Sequence, residues 1–313
     1  MTVEDIPSKP LAAGQVRVRI RAAGVNFPDI LMVAGTYQLK PPLPFTPGLE
    51  AAGEVVEAGG GVAGLATGDR VIIHQRHGCY ADEAVVESPQ VLPLPQGFDF
   101  VEGAAFLVGS HTAYHALVQR AHLAPGETLL VHGAAGGAGL AAVEMGKLLG
   151  ATVIATASSD AKLAAAKSRG ADHGINYEVE AFDDAVKRLT AGAGADVIYD
   201  PVGGAVFERS LHCIAWGGRL LTIGFASGIL PSAPANLILI KGCSVIGVRA
   251  GEAGRRNPAL RRAALEALLA LAGSGKLKPH ISRVLPLERF AEAMRLLSDR
   301  KAIGRVVLTM EET

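Results

Sequence analysis

The chain lacks an excess of either charge. Lys and Arg number 30, Asp and Glu number 30, and the 313 residues carry no formal net charge. A chain without that excess builds no long-range field to hold DNA, RNA or an anionic membrane surface. Long apolar runs are also missing. Every stretch of ~18 residues meets a charge, a His or a Gly or Pro break, so no spanning helix is expected. The first residues lack the basic, apolar, small-residue order of a signal peptide. Cysteine is scarce: Cys79, Cys213 and Cys243 are the three. They form no C-x-x-C pair and no disulfide framework, so a reducing cytoplasm is the expected setting and idle thiols the default reading. Apolar residues, at 49% against 19% charged, are plentiful enough for a large core and exclude a disordered chain. Length predicts two domains at ~150 residues each. Glycine, at 38 residues, is abundant and clusters in turns.

The first third reads as strands and turns. Residues 15–21 alternate apolar and polar, the period of a half-buried strand. Glu50, Gly53 and Glu54 sit among Ala and Val over 50–57. Glycines 59, 60, 61 and 64 loop into Thr67-Gly68-Asp69-Arg70, which launches Val71-Ile72-Ile73, and a further strand is expected at 83–87. Prolines 41, 42, 44 and 47 forbid regular structure between them. A small irregular β-barrel fits this pattern. From 128 to 224, short apolar runs at 129–131, 153–155, 197–199 and 220–223 alternate with amphipathic stretches near 137–149, 160–169 and 205–213. That alternation predicts parallel strands with helical crossovers, an α/β doubly wound sheet. Leu265, Leu268, Leu269 and Ala272, then Phe290, Ala293, Met294 and Leu297, have the spacing of surface helices burying one face. A last strand at 305–308 is expected to rejoin the first domain. The expected boundaries are 1–108, with 251–313 returning to it, and 109–250.

Chemistry enters at residues 129–139, Leu-Leu-Val-His-Gly-Ala-Ala-Gly-Gly-Ala-Gly. A strand runs into glycines 133, 136, 137 and 139, and a helix follows at once. Glycine lets backbone N–H groups approach a pyrophosphate, and the helix start adds unpaired donors and partial positive charge. In this strand–loop–helix setting the G-x-x-G-G-x-G variant reads as a dinucleotide loop, Ala135, Gly136, Gly137, Ala138 and Gly139 being its contact residues. The next strand ends Ala155-Thr156-Ala157-Ser158-Ser159. An NAD site wants an acid at that tip. Here two hydroxyls stand there, with Lys162 in the first turn of the following helix, an environment for a phosphate that favours NADP(H). Asp160, the counter-candidate, reads as the helix N-cap.

Other constellations are weak. His74, His77 and Cys79 lie close together, but no fourth metal ligand is identified. His111 and His115, at i and i+4, lack the Glu of H-E-x-x-H and read as packing residues. Residues 224–228 are not G-x-S-x-G, so a hydrolase elbow fails. No metal site is expected.

These residues together resemble the medium-chain dehydrogenase/reductase superfamily, in its zinc-independent quinone oxidoreductase branch. The carriers are Gly24-Val25-Asn26-Phe27-Pro28-Asp29, Gly35-Thr36-Tyr37, Pro47-Gly48-Leu49-Glu50-Ala51-Ala52-Gly53, Gly68-Asp69-Arg70-Val71, the 133–139 loop, Gly170-Ala171, Ile175-Asn176-Tyr177, Tyr199-Asp200-Pro201-Val202-Gly203 and Val245-Ile246-Gly247-Val248. The resemblance implies a GroES-like catalytic barrel and a Rossmann domain, with the cofactor in a cleft. It implies that Asn26 and Asp29 sit near the nicotinamide and Tyr37 near the substrate. Ser158, Lys162 and Tyr177 would hold the adenosine-phosphate end. Gly203, Gly224, Phe225, Ala226 and Gly247 would flank the nicotinamide half. A homodimer through the edge strand near 244–248 is implied as well. Two features depart from the family. Its strand ahead of Gln15–Arg21 has no counterpart here, and Leu31 stands where quinone reductases often have a second Tyr.

Zinc alcohol dehydrogenases of that superfamily have a Cys near the Asn26 position and Gly-His-Glu at 48–50. Asn26 and Leu49 supply neither thiolate nor imidazole. The expected activity is therefore metal-free hydride transfer from NADPH to a quinone or similar electron-poor acceptor. Asn26 would hydrogen-bond the nicotinamide ribose or the substrate oxygen, or else stabilise its turn. The rivals are an enoyl-thioester or enone reductase, with Tyr37 as proton donor, and a nucleotide-binding relative that has lost turnover. The expected partner is a small-molecule acceptor.

Overall fold

The computed structural model describes residues 1–310; residues 311–313, the last of the segment expected to return to the first domain, lie outside the described residues. The chain divides into two compact units, Met1–Val108 with Ala272–Thr313, and Gly109–Leu271. Their strands, in chain order, are β1 Gln15–Val25, β2 Glu50–Ala58, β3 Arg70–His74, β4 Glu83–Glu87, β5 Val91–Pro93, β6 Thr128–Val131, β7 Thr152–Ala157, β8 His173–Asn176, β9 Ala195–Asp200, β10 Ile214–Thr222, β11 Ser244–Gly247, β12 Ile281–Pro286 and β13 Arg305–Thr309.

The first unit is one curved sheet in the order β12-β13-β1-β2-β3-β5, with β4 also paired to β1. Its centre is β1. Val16, Val18 and Ile20 are buried while Arg17 and Arg19 point away, as the alternation requires. The strand then outruns its alternating segment. Ala22–Val25 are buried on both faces because β13 pairs with them, Ala22 against Thr309 through Val25 against Val306, while β4 pairs with residues 15–19 on the same edge. Small residues permit this. A Cβ on Gly24 would collide with the carbonyl of Ala104 from the 100–104 helix. The barrel core gathers Val16, Val18, Ile20, Val55, Ile73, Val306 and Leu308, and Ala293 of the 290–298 helix packs into it. Residues 1–10 form no regular element.

The second unit is a six-stranded, all-parallel sheet in the order β11-β10-β9-β6-β7-β8. The first strand in sequence, β6, is central, and the chain winds outward from it in both directions. That leaves a topological switch point between β6 and β9, outside the carboxyl ends of the strands, where such sheets bind ligands. Leu130, Ile154, Ile198 and Leu220 bury one face against Phe182, Val186, Phe207 and Leu211 of two crossover helices.

The chain leaves the second unit at 271, twenty-one residues beyond the boundary read from the sequence. The 258–273 helix stays behind because Ala264, Leu265 and Leu268 are buried there, and the Gln119 amide donates to the Leu260 carbonyl at 3.1 Å. Gln119 belongs to a π-helical turn, His115–Arg120, that continues the 107–114 helix; its side chain also meets His115 Nδ1 at 2.7 Å. His111 and His115 are both buried, as packing residues are.

Candidate functional site

Every cofactor-contact residue expected from the sequence lies at the carboxyl ends of the parallel strands. The loop 133–139 follows β6, Ser158 and Lys162 follow β7, Tyr177 follows β8, Gly203 follows β9, Gly224–Ala226 follow β10, and Gly247 ends β11. Because all six strands run the same way, the topology alone gathers them along one sheet edge.

At the glycine loop, Gly133 turns the chain at φ +56° and its carbonyl accepts the Gly136 N–H at 3.0 Å. Gly136 caps the 137–148 helix, whose first internal bond is Leu140 N–H to the Gly136 carbonyl at 2.8 Å. The N–H groups of Gly137, Ala138 and Gly139 therefore have no intrahelical acceptor. Gly136, Gly137 and Ala138 are half-buried, so these donors stand near the surface at the positive end of a helix dipole. Gly139 lies beneath; a Cβ there would fall inside contact distance of the Gly133 carbonyl and 2.8 Å from Ala134 Cα. The residues fit a diphosphate.

The loop is anchored by a residue that sequence reasoning passed over. His132 is buried, its Nδ1 2.9 Å from Thr156 Oγ1 and its Nε2 2.9 Å from Ser210 Oγ. Ser210 donates its own proton to the Val206 carbonyl at 2.7 Å, so it accepts from His132 Nε2–H, and Thr156 donates to Nδ1. Phe182 meets the ring edge-on at 4.7 Å. This neutral imidazole ties the loop to β7, two residues short of Ser158.

At the tip of β7, Lys162 Nζ donates to Ser158 Oγ at 2.9 Å, presenting a hydroxyl and an ammonium together. The helix N-cap is Ser159, whose Oγ accepts the Lys162 N–H at 3.4 Å, and not Asp160 as the sequence suggested. Ser159 keeps the extended backbone a cap needs, whereas Asp160 is already helical and accepts from the Asn176 amide at 3.2 Å. Tyr177 donates its N–H to the Ala157 carbonyl at 3.2 Å, which holds it beside β7. At the other half, Asp200 Oδ1 accepts the N–H groups of Val202 (2.8 Å) and Gly203 (3.1 Å). The Ala226 N–H donates to the Pro201 carbonyl at 3.0 Å. Gly203, at φ +72°, lies against the Phe225 ring, where a Cβ would reach 2.9 Å.

The first unit holds the three residues expected to be catalytic. Asn26 is buried, its amide donating to the Gly24 carbonyl (3.2 Å) and to Glu50 Oε1 (3.1 Å), while Oδ1 accepts from Arg305 Nη1 at 2.9 Å. Both amide hydrogens are thus consumed within the barrel. Asp29 is also buried and accepts from Asn26 N–H (2.9 Å), Gly48 N–H (3.2 Å) and Tyr80 Oη (3.0 Å). Burial pushes its carboxyl up to about 7 against these donors. Tyr37 is half-buried on the turn after the 27–33 helix, its N–H donating to the Leu31 carbonyl at 3.1 Å. Sequence reasoning missed Arg305, which pairs with buried Glu50, and Tyr80. The signal for Arg305 was a lone cation heading an apolar strand.

The titrating groups allow a first test. Burial lowers His132 from its ordinary 6.5 to about 3 and His111 to about 4, while Asp29 is raised to about 7. Between about pH 4 and 6.5 the unfolded chain then holds two imidazole protons that the folded chain lacks, and the folded chain holds one extra carboxyl proton. The unfolded state binds one proton more in net, so stability rises with pH across that window and is lost on acidification. The urea midpoint is expected to fall between pH 6.5 and about 4.5, and His132→Gln to flatten the slope. A wild-type midpoint constant over that range would contradict the assignment.

A barrel of this kind followed in sequence by a doubly wound parallel domain defines a two-domain α/β dehydrogenase/reductase architecture. Residues 12–125 match the family described as alcohol dehydrogenase GroES-like domain, and residues 137–268 that described as zinc-binding dehydrogenase. The chain is 42% identical to a quinone oxidoreductase-like protein 2 homolog of Nematostella vectensis, over all of this chain and 86% of the relative. The quinone oxidoreductase of Escherichia coli, solved as a complex with NADPH, matches with a TM-score of 0.89 and 30% identity over 98% of this chain and 94% of that one. The CurK enoyl reductase matches with a TM-score of 0.89 and 28% identity over the same shares. The chain belongs to the medium-chain dehydrogenase/reductase superfamily, in its quinone oxidoreductase-like branch.

Zinc, named in one family description, does not fit these residues. Asn26 and Leu49 offer no thiolate or imidazole, and the Arg305 guanidinium already occupies Asn26 and Glu50. Cys79 is buried, its thiol pushed well up by desolvation and its sulfur facing the Gln75 amide at 3.6 Å; His77 stacks edge-on against Phe45. Among the described residues no group of three or more His, Cys, Asp and Glu is gathered to hold a metal. No helix among them is long and apolar enough to cross a membrane.

Proposed function

We propose that this protein is a cytoplasmic, NADPH-dependent oxidoreductase that reduces a quinone or similar electron-poor acceptor without a metal. The observation that supports this most is the pairing of Ser158 and Lys162 at the tip of β7, on the same sheet edge as a glycine-lined helix start. Bound NADPH would supply a hydride, and a quinone so reduced can take its protons from water. The chain's own share is binding and orientation. The N–H groups of 137–139 would take the diphosphate, and Ser158, Lys162 and Tyr177 the adenosine phosphate. Gly203, Gly224, Phe225, Ala226 and Gly247 would flank the nicotinamide half. Asn26 and Asp29 act as positioning residues: their polar atoms hold the 24–29 turn and Gly48. Tyr37 is the candidate to deliver a proton. A second reading, reduction of an enoyl thioester or enone, draws on the likeness to CurK.

Lys162→Ala is expected to weaken NADPH binding about 10- to 100-fold, ~1.4–2.8 kcal/mol, and to leave NADH unchanged. Fluorescence titration with both coenzymes measures this, and steady-state rates with a quinone panel test the acceptor. Equal wild-type affinity for NADPH and NADH would sink the cofactor assignment.

A homodimer is proposed through β11, the sheet's edge strand. Trp216 (79% exposed), Leu239 (79%) and Ile240 (63%) leave an apolar surface near it, with Trp216 against Gly242. Trp216→Glu with Ile240→Glu should sediment as a monomer where the wild type is a dimer.

A further inference from the structure

Three polar side chains lie buried in an apolar layer of the second unit. His132, Thr156 and Ser210 are 1%, 1% and 0% exposed, in the layer of Leu130, Ile154, Phe207 and Leu211. They come from three elements. His132 follows β6 and heads the glycine loop, Thr156 stands near the end of β7, and Ser210 lies on the Gly204–Cys213 helix. Their hydrogen bonds run one way. Thr156 Oγ1 donates to His132 Nδ1, His132 Nε2–H donates to Ser210 Oγ, and Ser210 donates to the Val206 carbonyl. Apolar packing has no direction and tolerates sliding, whereas a buried and fully satisfied chain of hydrogen bonds permits one register.

The two arms of this chain of bonds lead to different halves of the dinucleotide site. On one side, Thr156 stands two residues before Ser158, whose Oγ accepts from Lys162 Nζ at 2.9 Å. On the other, Ser210 rides on the helix that Gly203 caps, two turns along a stiff rod. That helix start is itself fastened. Asp200 Oδ1 takes the Val202 and Gly203 N–H groups, while the Ala226 and Ser227 N–H groups donate to the Pro201 and Val202 carbonyls at 3.0 and 2.9 Å. Gly203, Phe225 and Ala226 therefore move as one block with Ser210.

We propose that His132 is a positioning residue that holds the two halves of the coenzyme site in register, the adenosine-phosphate end through Thr156 and the nicotinamide end through Ser210. This rests on the NADPH reading above. At 1% exposure the ring meets no coenzyme itself and acts only through its two partners. Its two nitrogens let the arms be cut separately. Asn places an acceptor oxygen near the position of Nδ1 and keeps Thr156. Gln reaches as far as Nε2 with an amide N–H and keeps Ser210. Leu keeps neither.

The test reads the two halves independently on the full-length protein. The ratio of NADPH to NADH affinity, from fluorescence titration, reports the phosphate end. The anisotropy of NADPH emission at saturation reports how firmly the nicotinamide is held, and kcat with benzoquinone reports its alignment. His132→Gln should lower the affinity ratio by a larger factor than kcat. His132→Asn should do the reverse and lower the anisotropy as well. His132→Leu should lose both, each by roughly fivefold. Thr156→Val and Ser210→Ala cut the same arms from the far side and should repeat the Gln and Asn patterns, which keeps the split measurable if a ring substitution does not fold. Equal losses in the Asn and Gln variants that merely follow the thermal midpoint would overturn the proposal, leaving these residues as a packing anchor. A wild type indifferent to the 2′-phosphate would strike the coenzyme reading and the proposal with it. A wild type that prefers NADPH while no variant shows the split would strike the proposal alone.

Discussion

Replacing Arg305 by Met is expected to cost about 3–5 kcal/mol of stability in the barrel, the usual penalty for removing one partner of a buried ion pair. Arg305 side-chain exposure is 8% and that of Glu50 is 1%, so water cannot take over the lost contact. Glu50 Oε1 would keep only the Asn26 amide, and Oε2 the Val108 N–H at 2.8 Å. Asn26 Oδ1 would lose its donor at the same time. The damage should therefore extend to the 24–29 turn as well as the 305–309 strand. Neutralising the survivor tests the cause. Arg305→Met with Glu50→Gln should recover about 1–3 kcal/mol over the single variant, because the penalty is a stranded charge more than a missing contact. The one tryptophan, Trp216, lies in the second unit, so hydrogen exchange at Val306–Leu308 is the right reporter. A single variant that loses under about 1 kcal/mol would show that the pair does not hold the barrel together.

Much of the architecture was readable because local patterns and tertiary layout agree. The strict alternation of 15–21 became the centre of the barrel, and the glycine loop became a strand–turn–helix at the sheet's switch point. Helical spacing at Phe290, Ala293, Met294 and Leu297 marked the face packed on the barrel. What stayed hidden depends on contacts distant in sequence. Arg305 lies 279 residues from Asn26, and no local period announces their meeting. His132 drew no reading of its own, because its two hydrogen bonds reach Thr156 and Ser210, 24 and 78 residues away. The roles of Asn26 and Asp29 were drawn from resemblance. Their hydrogen bonds run inward to the barrel's own backbone and side chains, a difference of side-chain direction that spacing does not encode. The helix start at 159–160 turned on a single residue, Ser against Asp, both good caps.

The second large effect concerns the loop itself, where two neighbouring glycines should fail in different ways. Gly139→Ala places a methyl against the Gly133 carbonyl and Ala134 Cα, backbone atoms that no rotamer change can move. The 133–139 turn must open, and with it the alignment of the 137–139 N–H groups. NADPH affinity should fall by more than ~100-fold, about 2.8 kcal/mol, together with a lower thermal midpoint for the second unit. Gly136 stands in another situation. Its φ of −75° suits any residue, and an added methyl would find only the Gly133 carbonyl at 3.4 Å. Nothing in the protein forbids Ala there. A bound diphosphate does, because a methyl at the helix cap stands where phosphate oxygens must come close to the backbone. Gly136→Ala should thus keep the wild-type thermal midpoint and lose about tenfold in NADPH affinity, ~1.4 kcal/mol. The contrast separates a glycine needed by the fold from one needed by the ligand. If Gly136→Ala bound NADPH as tightly as the wild type, this helix start would not be where the diphosphate lies. The assignments that follow along the sheet edge, from Ser158 to Gly247, would then lose their common origin.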